Sequence, residues 1–222
     1  MKIKIIYIPS NNKIQKSSFD LVDKVIKKHS KKAAGLLPFK INNFTFTVYS
    51  WEKDGVSAFT QANNWVDIKI NFDQLVKKNK VDAKLLDQLI YIIYHEMHHA
   101  CRGYAGILPK NKEHILINSI ISEGLADHFA IEQYPVKSII ETKKFDLKEI
   151  QPWIKKLKKV MWNKESEDDS WLYGGDKKPK MIGYKIGRYM IQEIKNNFSD
   201  QNSVKLVYAT PEKIIGLSKV SF

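Results

Sequence analysis

The chain has 222 residues, 43% hydrophobic and 11% aromatic, with a formal charge of +13. That is enough apolar material for one large domain, or two small lobes around a cleft, and it excludes a disordered chain. A single cysteine, Cys101, excludes an intrachain disulfide, and no run approaches the roughly 18 to 20 apolar residues of a membrane span. The opening MKIKIIYIPS lacks the pattern of a signal peptide, so the expectation is a cytoplasmic protein. The charge comes from 35 lysines spread along the chain and only two arginines, Arg102 and Arg188. Phosphate and base recognition favour arginine's planar fork, so the lysines read as a solvated surface, with nucleic-acid binding the weaker alternative.

Residues 2–8 alternate like a short strand. Residues 17–33 place Phe19, Leu21, Val22, Val25 and Ile26 at helical spacing, and that helix closes near Gly35. FTFTVYSW (44–51), VSAFTQ beyond a KDG turn, and VDIKINF (66–72) follow as strands. The first and last of these read as neighbours in an antiparallel sheet. From residue 82 the period becomes helical, with Asp82 as N-cap and Leu85, Leu86, Leu89, Ile92, Ile93 and Met97 repeating. A second helix runs through EHILINSIISEGLADHFAIEQ and stops before Pro135. Further helices are predicted at 136–143, 146–162, about 179–197, and near 203–208 and 211–218, with 163–178 as a loop. Strands first and helices after is an α+β plan: a small antiparallel or mixed sheet in residues 1–80, then a helical lobe in 81–222, as a single domain.

Three of the six histidines stand in HEMHH, residues 95–99. On a helix, positions four apart share a face, so His95 and His99 can clamp one metal ion. Glu96 completes the H-E-x-x-H pattern of zinc hydrolases, beside the attacking water. His98 falls about 100° off that face and is left out of the ligand set. Zinc needs a third protein ligand. In SIISEGLADHFA, Glu123 and Asp127 also share a face; Glu123 goes to the metal, and Asp127 to a hydrogen bond with the far nitrogen of a ligand histidine. Gly124 in mid-helix costs roughly 1 kcal/mol relative to alanine, which implies close packing against the other helix. The expected cofactor is one Zn²⁺ per chain. His29, His114 and His128 read as incidental, and Cys101 as a buried thiol facing away from the ligands.

HEMHH followed by EGLAD resembles the gluzincin group of zinc metallopeptidases, the thermolysin-like clan. More narrowly it resembles the bacterial YjaZ-like family of predicted Zn-dependent proteases, over most of the chain from about residue 40. The resemblance implies a zincin-like fold with the active site in the cleft between sheet and helical lobe, and a peptide or protein substrate. It implies that NNWVDIKIN (63–71), with Val66 and Ile68, is an edge strand that pairs with substrate backbone. GYKIGRYM is similar to the Y-x-x-G stretch of related aminopeptidases, which makes Tyr184 the oxyanion donor and Tyr173 in WLYGG its runner-up. Arg102 and Arg188 are placed to bind a substrate carboxylate or to pair with Asp127 or another acid, and a structural ion pair is the stronger of these readings. The G-x-M-E-N type loop that holds a free amine in aminopeptidases has no counterpart here, since GVSAFTQANN carries no acid; this points to an endopeptidase. A non-catalytic metal-binding or regulatory module on the same scaffold is the competing reading.

Overall fold

The computed structural model describes residues 1–8, 16–77, 80–104, 115–134, 147–164, 170–175 and 177–222. The predicted helix 136–143, Pro135, His114 and part of the predicted loop 163–178 lie outside the described residues. The chain forms two compact units, Met1–Ile107 with Ala130–Val136, and Leu108–Phe129 with Lys137–Phe222. Among the described residues no helix is long and apolar enough to cross a membrane.

The first unit is built on a four-stranded sheet in the order β1-β2-β4-β3, with β1 Lys2–Ile8, β2 Asn43–Ser50, β3 Val56–Ala62 and β4 Trp65–Ile70. Helix α1, Lys16–Leu36, joins β1 to β2, which therefore pair in parallel. The expectation for β2 and β4 is corrected in direction. They are neighbours, but parallel, from Thr45 opposite Trp65 to Ser50 opposite Ile70. The physical reason lies in β3, one tight turn from β4 and antiparallel to it. The hairpin inserts β4 between β2 and β3, running the same way as β2. A second correction follows: β4 is an interior strand, and the edge on that side is β3. On β4, Val66, Ile68 and Ile70 are fully buried. The β3–β4 register slips between Thr60 and Ala62, so Gln61 is an extra residue in a bulge, its amide donating to Asp67 Oδ2 at 2.8 Å.

A short helix α2, Phe72–Leu75, and a two-residue hairpin, β5 Val76–Lys77 with β6 Lys80–Val81, lead to α3, Ala83–Arg102. Asp82 caps α3 as read from the sequence, accepting from the Leu85 amide at 3.0 Å. Gly103 ends it at φ 83°, a left-handed conformation that glycine adopts without strain, and its amide donates to the His99 carbonyl. Helix α3 packs against β3, β4 and α1, and so belongs with the sheet rather than with the later helices. The cause is its apolar content: Leu85, Leu89, Ile93 and Met97 are wholly or nearly wholly buried, each contributing about 1.5–3 kcal/mol. Between α1 and α3, His29 Nδ1 lies 3.1 Å from the Tyr94 hydroxyl; Tyr134, from later in the chain, donates to Asp87 of α3 at 2.8 Å.

The second unit contains α4 Leu116–Gln133 up to Phe129, α5 Leu147–Leu157, α6 Ser170–Tyr173, α7 Ile182–Asn197 and α8 Pro211–Ser218. The last turn of α4 belongs to the first unit. The first amides of α4 are satisfied by the turn after α5, Leu116 N–H donating to the Asn163 carbonyl and Ile117 N–H to that of Met161. One apolar cluster joins Ile117, Ile120 and Ile121 of α4, Ile150 and Ile154 of α5, Trp171 of α6, and the stripe Ile182, Ile186, Met190 and Ile194 of α7. The predicted loop 163–178 thus contains a turn of helix, and the predicted helix 203–208 is a run of turns.

Helices α4 and α7 touch backbone to backbone. A methyl group on Gly124 would fall on the Gly187 carbonyl and 2.8 Å from the Arg188 nitrogen; one on Gly187 would fall on the Ile120 carbonyl. The partner that explains Gly124 is α7. Gly124→Ala is expected to lower stability by about 3 kcal/mol in urea denaturation, whereas Gly35→Ala, with nothing within 4 Å, should raise it by roughly 0.5–1 kcal/mol. Burial, then Lys28 and Lys32, hold His29 below its ordinary pKa of 6.5. A lowered folded pKa means that the unfolded chain takes up the proton first. The stabilisation is full above the unfolded value and is lost as pH falls through the folded one. In chelator, melting temperature should therefore drop less between about pH 7.5 and about pH 5 for His29→Gln than for the wild type.

Candidate metal centre

The last two turns of α3 carry His95, Glu96, His98 and His99, all buried. One turn of helix separates His95 from His99, and their Nε2 atoms lie 3.0 Å apart. The Tyr91 ring stacks on His95 at 5.7 Å between centroids, and Tyr104 packs on His99 at 5.0 Å, so aromatic walls fix both imidazole planes. Glu96 meets the sheet: the Thr60 hydroxyl donates to its Oε2 at 2.7 Å and lies 3.0 Å from its backbone carbonyl. Thr60 escaped the sequence reading. Its one signal was an inward-facing hydroxyl in an alternating strand, which must find a partner when buried.

Glu123 is buried on α4. One ligand atom from each of His95, His99 and Glu123 falls within 4.8 Å of the other two. In a tetrahedral zinc site with bonds of 2.0–2.1 Å, ligand atoms sit about 3.3 Å apart. The 3.0 Å histidine separation suits that clamp, and two imidazoles with one carboxylate leave a fourth position open. The residues present therefore fit zinc.

Asp127, fully buried one turn after Glu123, pairs with Arg188 Nε at 3.2 Å. His128 Nε2 donates to the Arg188 carbonyl at 3.1 Å, and burial lowers its pKa, so it stands as the neutral Nε2–H tautomer. This partner of His128 is not legible in the sequence, because the bond joins residues sixty apart. Arg102 is pushed down to about 10 by burial and still carries its charge at neutral pH. Tyr184 is half-buried in the first turn of α7 against the apolar cluster of the second unit. Tyr173, at the end of α6, is 61% exposed. Val66 and Ile68, offered above as substrate contacts, are 0% exposed in the interior strand, where both backbone edges are already paired.

Residues 53–216 match the family described as Predicted Zn-dependent protease (DUF2268). The chain belongs to this family. No curated protein matches it. The matched span runs from the turn before β3 into α8, and so contains Thr60, HEMHH, Glu123, Asp127, Tyr184 and Arg188; β1, α1 and β2 precede it. Among the described residues the one group of three or more potential metal ligands is His95, His99 and Glu123. Elemental analysis after loading should give about one zinc per chain for the wild type and well under half of that for Glu123→Ala, with the melting-temperature gain from added zinc lost in the variant.

Proposed function

We propose that the chain is a zinc-dependent endopeptidase in which His95, His99 and Glu123 hold the metal and Glu96 is the general base. The observation that carries this reading is the convergence of the three ligand atoms, with Glu96 next in sequence to the first of them. When bound, zinc would polarise the scissile carbonyl and lower the pKa of the attacking water toward 7. Glu96 takes the proton of that water as it attacks the carbonyl carbon, and delivers it to the amine as the C–N bond breaks. Asp127 acts outside the ligand set.

Tyr184 donates to the oxyanion in this reading. Its support is the pairing of α4 with α7. Gly124 meets Gly187, and Asp127 meets Arg188, so the two helices run alongside in the same sense. Tyr184 precedes Arg188 by one turn, just as Glu123 precedes Asp127. Tyr173 is the runner-up as donor, its exposure suiting a group that closes over bound substrate. Arg188, already committed to Asp127, serves the site by holding that acid.

Substrate backbone would add to β3, the edge strand that supplies Thr60 to the base. The stretch Gly55–Asn64, which forms β3 and its turn, has no carboxylate to anchor a free amino terminus, in keeping with internal cleavage. Glu96→Gln should keep its zinc and lose hydrolysis of an internally quenched peptide pool by at least about a thousandfold. Wild-type turnover by that variant would remove Glu96 from the mechanism. A zinc-loaded wild type that cleaves no peptide in the pool would instead identify a non-catalytic metal module.

A further inference from the structure

We infer that Thr60 is the positioning residue of Glu96, fixing one carboxylate oxygen so that the other faces the reaction. This rests on the reading of Glu96 as the base. Glu96 is buried and its side chain has three rotatable bonds, so nothing in its covalent structure decides where the carboxylate points. Thr60 decides it. Its hydroxyl has one proton, and the 2.7 Å contact to Oε2 is the short, charge-assisted one; the 3.0 Å approach to the Glu96 carbonyl is the longer branch. Oε1 is then the oxygen that accepts the water proton and returns it to the amine. Because Thr60 branches at Cβ, its side chain has few rotamers, and the carboxylate inherits that rigidity.

The strand itself is shaped for the contact. Thr60 is buried while Phe59, its neighbour, is 52% exposed, and the bulge at Gln61 follows at once. Bulges re-aim side chains beside active sites, and here the Gln61–Asp67 bond pins the bulge in place. The base is therefore oriented from β3, the same strand whose outer edge the substrate would pair with. Without the hydroxyl, Glu96 keeps its place on α3 and loses its aim.

Thr60→Val removes the hydroxyl at nearly constant shape, and Thr60→Ser restores it. On the quenched-peptide pool, zinc-loaded Thr60→Val should lose on the order of tenfold or more in kcat with KM within about twofold, while Thr60→Ser stays within about threefold of the wild type. In the Glu96→Gln background Thr60→Val should cause no further loss. Wild-type kcat in Thr60→Val, or a Thr60→Ser variant as impaired as Thr60→Val, overturns the inference. Crystal structures of both zinc-loaded variants give the readout that needs no turnover: the Glu96 carboxylate should keep its position in Thr60→Ser and turn in Thr60→Val, and an unmoved carboxylate in Thr60→Val sinks the proposal. If Glu96→Gln remains active, the base reading fails by itself, and the crystallographic comparison still decides what Thr60 does.

Discussion

Three imidazoles and a carboxylate are buried within five residues of α3, and the site is organised around that fact. Each such group left without a partner costs about 1–3 kcal/mol, and more where it is charged. A helix with His95, Glu96, His98 and His99 turned into protein is tolerated only where its surroundings answer in kind. The strand answers with the Thr60 hydroxyl on Glu96. A metal ion would satisfy the same demand for the two Nε2 atoms that face each other. Chemistry and stability therefore ask for the same arrangement, which is why a catalytic reading of these residues is also the economical structural one.

What the sequence could show was what repeats along one element. The i, i+4 spacing places His95 with His99 and Glu123 with Asp127 without any knowledge of the fold. Asp82 announces the start of α3 by its own short-range bond, and Gly124 announces a close approach. The sequence cannot show pairings between distant segments. The direction of β2 against β4 depends on β4 entering the sheet beside β2 rather than beyond β3, and both placements share one alternation pattern. That choice moved the edge from Val66 and Ile68 to the strand of Thr60. The bonds of Thr60 to Glu96 and of His128 to Arg188 cross 36 and 60 residues and leave no local trace.

The contact of α4 with α7 is the other fixed point. Two glycines bring the backbones together, and Arg188, itself partly buried, pairs with the fully buried Asp127 at the next turn. Arginine is scarce in this lysine-rich chain, and one of its two copies stands here. A planar guanidinium holds a carboxylate with defined geometry and stays charged when desolvated; lysine offers a mobile point charge that burial tends to neutralise. Arginine is thus used where a buried acid has to be held still.

The order of strands in the sheet has a kinetic side. The hairpin of β3 and β4 closes across Asn63 and Asn64, a local event on the scale of microseconds. The parallel pairs wait: β1 reaches β2 only across α1, and β2 reaches β4 only across the whole of β3. Loop-closure entropy puts such pairings later. The ribbon that bears Thr60 and the Gln61 bulge is thereby the first piece of the sheet able to form.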